Sequence, residues 1–294
     1  HGIIGAAKQF SVRTETELRP EIAAKGRQSP QAAVNHGIIG AAKQFSVRTE
    51  TELRPEIAAK ERQFPQAARR SLLKGGIPMD YKKEFIKFMC ESGVLTFGEF
   101  TLKSGRKAPY FVNTGNYRTG KQIAKLGEFY AACIEQHNLN PQVLFGPAYK
   151  GIPLCIAAAS SLATVYGRDV EYCFNRKEAK DHGEGGLLVG HKLADGDRVV
   201  ITEDVITSGA AVRETMPIIK AAANVELCGM VISVDRMERG KSELSAVQEV
   251  DRDFGLKVYP IVTIQDIIEC LRDGEVPGGE YLDKMIQYRK EYGV

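Results

Sequence analysis

The chain has 294 residues, 43% hydrophobic and 26% charged, with no Trp and a formal net charge of +3. That apolar fraction suffices for a buried core and excludes a wholly disordered chain, and the length allows one large or two small domains. No run reaches the roughly 20 apolar residues of a membrane span, no secretory signal pattern opens the chain, and six cysteines without a CxxC pair indicate free thiols in a reducing cytoplasm.

Residues 1–35 and 36–70 form a tandem repeat identical at 31 of 35 positions, differing only at Gly26/Glu61, Ser29/Phe64, Val34/Arg69 and Asn35/Arg70. Helical-repeat arrays need about three or more units to bury a core, and two units with internal prolines do not supply one. Residues 1–78 carry 13 Lys and Arg against 7 Glu, a net of +6, which leaves residues 79–294 at a net of −3. Lys74-Gly75-Gly76-Ile77-Pro78-Met79 is encoded by a pattern that can contain AAAGGAGG shortly before ATG, the form of a bacterial ribosome-binding site. The expectation is that Met79 is the native start and that residues 1–78 are a non-native or disordered extension. The alternative is a dispensable basic tail that touches nucleic acid.

From Met79 onward helix and strand signals alternate. Tyr81–Glu91 has helical spacing, with Phe85, Ile86, Phe88 and Met89 on one face. Short extended pieces follow at Phe97–Leu102 and Tyr110–Val112, around the turn-rich Lys103-Ser104-Gly105-Arg106. Helices are predicted over Thr119–His137, Gly151–Val165, Gly209–Ala223, Ser242–Phe254, Gln265–Leu271 and Tyr281–Tyr292. Strands are predicted at Val143–Phe145, Val170–Phe174, Arg198–Thr202, Leu227–Val234 and Lys257–Val262. This alternation implies an α/β fold with a mostly parallel sheet covered on both faces, in which ligands sit beyond the carboxyl ends of strands.

Two strand-to-helix turns and one charged, Gly-rich stretch carry the chemistry. In Val199–Ala211 (VVITEDVITSGAA) a buried strand ends in two acids, and a hydroxyl- and Gly-rich loop then opens a helix. Backbone N–H groups from Thr207 to Ala211 would cradle a phosphate at the helix N-terminus, with donors from Thr207 and Ser208 and close approach at Gly209. Glu203 and Asp204 suit sugar hydroxyls or a bridged Mg²⁺. An ordinary N-capped turn is the competing reading. Tyr149-Lys150-Gly151 follows another strand end, where Gly146 and Gly151 permit a tight backbone for pyrophosphate oxygens and Lys150 adds a point charge. Arg176, Lys177, Lys180 and His182 lie beside Glu178, Asp181 and Glu184, and Gly183, Gly185 and Gly186 follow. This is either solvated surface or a lid that brings cations onto pyrophosphate.

The Val199–Ala211 segment resembles the 5-phosphoribosyl-1-pyrophosphate (PRPP) signature of the type I phosphoribosyltransferases. With Phe97–Lys107, Phe145–Gly151 and Tyr172–Gly186, it makes residues 79–294 resemble the bacterial orotate phosphoribosyltransferases throughout. The repeat has no counterpart in that family. The resemblance implies a type I fold with a small hood and a flexible lid loop. It also implies a cytoplasmic homodimer whose lid reaches the neighbouring active site, and Mg²⁺ carried mainly by PRPP rather than by protein ligands.

By the same resemblance, PRPP contacts Lys103, Tyr149, Lys150, Arg176, Lys177, Lys180 and His182. The turn Glu203, Asp204, Val205, Ile206, Thr207, Ser208, Gly209, Ala210 and Ala211 contacts it as well. Orotate contacts Lys103, Phe111, Val112, Thr207 and Arg236, the last through a guanidinium fork suited to its carboxylate. Lys180, Asp181, His182, Glu203 and Asp204 are the expected catalytic residues, with His182 and Asp181 as the general acids. Three positions depart from the family pattern: Val112 where an aromatic is common, Glu203 for Asp, and Ala210 for Thr. The implied reaction is phosphoribosyl transfer from PRPP to N1 of orotate in pyrimidine biosynthesis, with no membrane or nucleic-acid partner. A purine phosphoribosyltransferase and a PRPP-sensing regulator are the alternatives.

Overall fold

The computed structural model describes residues 81–102, 104–180, 186–206, 209–240 and 242–294, with only the backbone given at Ala179, Lys180 and Gly186. The repeat, Lys103, Asp181, His182, Thr207 and Ser208 therefore lie outside the described residues.

Helix α1 (Tyr81–Glu91) leads into the antiparallel hairpin β1 (Leu95–Thr101) and β2 (Lys107–Val112), which stands apart from the main sheet. A 3₁₀ turn at Thr114–Asn116 precedes α2 (Gly120–Gln136). The rest alternates through β3 (Val143–Gly146), α3 (Gly151–Tyr166), β4 (Glu171–Lys180), β5 (Gly186–Gly190), β6 (Arg198–Val205), α4 (Ala210–Ala222), β7 (Glu226–Asp235), α5 (Ala246–Phe254), β8 (Val258–Thr263), α6 (Ile264–Arg272) and α7 (Leu282–Tyr292). Six strands form one sheet in the order β5-β4-β3-β6-β7-β8, parallel except where β5 returns against β4. This is the α/β architecture with a mostly parallel sheet that the strand–helix alternation predicts.

Side-chain alternation explains why the central strands are apolar throughout. Leu144, Val200 and Val231 point into a core shared with Phe85, Tyr130, Leu162 and Ile268 of α1, α2, α3 and α6. Their neighbours Val143, Phe145, Val199, Ile201, Met230 and Ile232 point the other way, against Val212, Met216 and Ile219 of α4 and Val250 of α5. With helices on both faces, neither side of the strand is wet. Local signals set the helix starts. Thr119 accepts from the Gln122 N–H while the Gln122 side chain accepts from the Thr119 N–H, a reciprocal cap. Ser245 and Gln248 repeat the arrangement, so α5 begins at Ala246, four residues after the predicted Ser242.

The larger difference concerns the predicted lid. Its first half is not loop: β4 runs on to Lys180 and pairs with β5, with a register shift between Asn175 and Lys180. The charges and glycines hide this pairing, because only Leu187, Leu188 and Val189 in β5 read as strand formers.

Candidate active site

The site is assembled where β3 and β6 end. The two strands pair from Val143↔Val199 to Phe145↔Ile201 and then diverge into their separate helices, opening a crevice at their carboxyl ends. Beyond β3, the turn to α3 is so tight that a Cβ on Gly146 would lie 2.5 Å from the Gly151 carbonyl oxygen. One on Gly151 would lie 2.8 Å from the Thr202 carbonyl oxygen. Both glycines are thus required by close approach. Within the turn, the Ala148 N–H donates to Asn175 Oδ1 at 3.0 Å, and Tyr149 stands 70% exposed.

Glu203 and Asp204 at the end of β6 are each 7% exposed. Asp204 Oδ2 accepts from Lys150 Nζ at 2.8 Å and from Thr114 Oγ1 at 2.7 Å, and Oδ1 accepts from the Val205 N–H at 2.8 Å. Burial would raise the Asp204 carboxyl, but these donors outweigh it and hold the group below the ordinary value. Glu203 Oε1 accepts the Asp204 N–H at 2.9 Å, and burial together with the neighbouring charge pushes this carboxyl up to about 8. Burial and the neighbouring charge thus favour the protonated form of Glu203, while its donors favour the ionised form of Asp204. Two carboxylates side by side and removed from water cannot both ionise cheaply.

A cleft of about 230 Å³ lies between this turn, the β4–β5 hairpin and α4. Pro147, Ala148, Asn175, Arg176, Lys177 and Ala211 are among its lining residues. Lys177 Nζ sits 3.1 Å from Glu214 Oε2 on α4. A second cleft of about 180 Å³ brings Lys150 and Asp204 together with Thr114 and Ser233. Gly209 takes φ +68° ahead of α4, with Ala210 and Ala211 as the first helical residues. Val205 and Ile206 are half-buried beside it.

The other expected residues gather elsewhere. Arg236 follows β7. Its Nε and Nη2 both reach Glu238 Oε1, at 3.0 and 2.7 Å, and its Nε also meets the Tyr110 hydroxyl at 3.1 Å. One edge of the fork expected to be open for a carboxylate is thus held by Glu238. Phe111 is 40% exposed and stacks on Phe100 across the hairpin, with ring centroids 5.5 Å apart, while Val112 is half-buried against the core. Thr114, Tyr110, Asn175, Glu214 and Glu238 were not singled out from the sequence. An isolated Thr, Tyr or Asn has no spacing signature, although Asn175 lies inside a motif that resembles the family.

A helix-flanked, mostly parallel sheet with an acidic pair and a glycine-tight turn at its carboxyl edge defines an α/β protein of the class that binds ligands at the strand ends. Residues 113–259 match the family described as Phosphoribosyl transferase domain. The orotate phosphoribosyltransferase of Clostridium beijerinckii is 53% identical over 220 residues, which are 73% of this chain and 98% of that protein. The Vibrio vulnificus enzyme of the same name is 51% identical over 214 residues, 73% of this chain and 99% of its own. Among solved structures, the orotate phosphoribosyltransferase of Francisella tularensis superimposes with a TM-score of 0.64 at 39% identity, covering 72% of this chain and all of that one. The chain belongs to the orotate phosphoribosyltransferase family.

Proposed function

We propose that this protein transfers the 5-phosphoribosyl group from PRPP to N1 of orotate, yielding orotidine 5′-monophosphate and pyrophosphate in pyrimidine biosynthesis. The observation that carries this reading is the Asp204–Lys150–Thr114 cluster at the end of β6, set between the Gly146–Gly151 turn and the start of α4.

In the reaction the C1–oxygen bond of PRPP breaks and its electron pair leaves with pyrophosphate, while N1 of orotate gives up its proton and bonds to C1. Positive charge grows on the ribose ring, so the protein works chiefly by position and electrostatics. Asp204 supplies the anionic group for the ring, and Glu203, whose protonated form burial favours, holds a ribose hydroxyl. Lys150 is 63% exposed on a flexible stem, and its ammonium leaves Asp204 for a diphosphate oxygen, which unmasks the Asp204 charge. Backbone N–H groups of Tyr149 and Lys150 and at the start of α4 take phosphate oxygens, since the Ala148 and Gly151 N–H groups already donate to Asn175 Oδ1 and the Pro147 carbonyl. Arg176, Lys177, Lys180 and His182 receive the leaving charge, with Asp181 or His182 as general acid. Tyr149, Lys103 and the Val205–Ala211 turn complete the PRPP site. Phe111, Val112, Thr207 and the remaining Nη1 of Arg236 serve orotate.

Magnesium fits this site as an ion carried by PRPP. Asp204 accepts from Lys150, Thr114 and the Val205 N–H, so it could meet a cation only after Lys150 leaves, whereas the diphosphate oxygens would hold the ion without that exchange. Bound that way, Mg²⁺ neutralises diphosphate charge.

The enzyme occupies residues 79–294, a placement supported by the near-full-length matches to relatives. It acts in the cytoplasm as a homodimer whose segment between β4 and β5 serves the neighbouring site, and the large apolar side chains left exposed at Ile156 and Tyr172 support such a contact surface. No helix of the described residues is long and apolar enough to cross a membrane. A spectrophotometric assay of orotate consumption with PRPP and Mg²⁺, run beside adenine, hypoxanthine and guanine, tests the reading. Turnover of a purine base in place of orotate would overturn it.

A further inference from the structure

Beneath the acidic pair lie two buried hydroxyls that the reaction above does not use. Tyr130, on α2, is fully buried, and its hydroxyl donates to the main-chain carbonyl of Glu203 at 2.6 Å. Ser233, on β7 and 1% exposed, places its Oγ 2.9 Å from the same hydroxyl. A phenol has one proton, and a carbonyl can only accept it. The serine must therefore be the donor to Tyr130, and the hydrogen bonds run in one direction, Ser233 to Tyr130 to the Glu203 carbonyl.

That carbonyl belongs to the peptide plane between Glu203 and Asp204. The opposite end of the plane is the Asp204 N–H, which donates to Glu203 Oε1 at 2.9 Å. One rigid planar unit is thus pinned at its oxygen by Tyr130 and holds the Glu203 carboxyl by its nitrogen. The plane sits beyond the last β3–β6 pair, Phe145↔Ile201, so β3 no longer steadies this part of β6. Packing alone does not call for these hydroxyls. Phe and Ala would fill the same space without the cost of burying two polar groups.

We propose that Tyr130 and Ser233 are positioning residues for phosphoribosyl transfer, fixing the Glu203–Asp204 peptide plane and through it the direction of both carboxyl groups. The proposal rests on the assignment of the acidic pair to the ribose ring.

The test compares Tyr130→Phe, Ser233→Ala and the double variant with the full-length protein, by thermal unfolding, steady-state kinetics and calorimetric PRPP binding without orotate. In Tyr130→Phe, kcat falls about tenfold, as expected for loss of one buried hydrogen bond that acts on the transition state, while the orotate KM stays within about twofold. Ser233→Ala lowers kcat about threefold, and the double variant is no worse than Tyr130→Phe within about twofold, because the hydroxyls act in series. The PRPP dissociation constant rises about threefold in both single variants. An unchanged kcat and PRPP constant beside a lowered melting temperature would overturn the proposal and leave the hydroxyls a packing role. If Tyr130→Phe fails to fold, an unchanged kcat in Ser233→Ala overturns it equally. A wild-type protein that binds PRPP but does not turn over orotate refutes the substrate assignment instead, and the PRPP constants then decide this inference.

Discussion

Substituting Gly146 by alanine places a methyl group 2.5 Å from the Gly151 carbonyl oxygen, 2.7 Å from Cys155 Cβ and 2.8 Å from the Gly151 carbonyl carbon. Favourable carbon contacts lie at about 3.5–4.0 Å, so three atoms on the first turns of α3 must each retreat by about 1 Å. None is the free end of a side chain, and Cys155 is fully buried. The strain is relieved only by sliding α3 off β3, which costs about 2–4 kcal/mol by analogy with overpacked cores. For a domain of this size that lowers the melting temperature by about 5–15 °C. Two alanine variants calibrate the figure. Gly120 opens α2 with nothing within 4 Å of its Cβ position, so Gly120→Ala is neutral or slightly stabilising. Gly167 is equally open but takes φ +68°, so Gly167→Ala costs about 1–2 kcal/mol from backbone strain alone. Differential scanning calorimetry of the three variants should rank them Gly120→Ala, Gly167→Ala, Gly146→Ala in falling stability, with the PRPP KM raised only in the last. A melting temperature for Gly146→Ala at or above that of Gly167→Ala would refute the reasoning.

Glu203 gives a pH dependence of definite sign. Its ordinary value is 4.5 and the folded value is about 8, so between these the folded protein holds a proton that the unfolded chain has released. Stability from this group therefore falls as pH rises through the window and is lowest above about pH 8. Urea denaturation at about pH 5.5 and about pH 9 should show Glu203→Gln gaining on the wild type at the higher pH; parallel curves would contradict the burial argument. Asn175→Ala removes the acceptor for the Ala148 N–H and should raise the PRPP KM about fivefold with the orotate KM unchanged, whereas equal rises in both would place Asn175 elsewhere in the mechanism. Ala210→Thr adds a hydroxyl at the first residue of α4, where it would donate to the 5′-phosphate, and should lower the PRPP KM by about 1 kcal/mol of binding; an unchanged or higher KM would show that the added hydroxyl does not meet PRPP.

Local signals were enough for most of the secondary structure. Continuous apolar strands, amphipathic helices and acids ahead of a Gly-rich turn are each encoded within about a dozen consecutive residues, and they sufficed for the parallel sheet and for Glu203, Asp204 and Lys150 as site candidates. Tertiary structure alone decided what pairs with what. Strand β5 exists because β4 extends through the charged stretch Arg176–Lys180 to meet it, and no local pattern announces that partner. Thr114 reaches Asp204 across 90 positions, Tyr130 reaches Glu203 across 73, and Tyr110 reaches Glu238 across 128. Hydrogen bonds at such separations leave no periodic trace, because the geometry that joins them is set by sheet order and helix packing. The chemistry carried by each residue type is thus readable in the chain. Which carboxyl keeps its proton and which side of an arginine fork is occupied depends on burial and on neighbours that only the fold supplies.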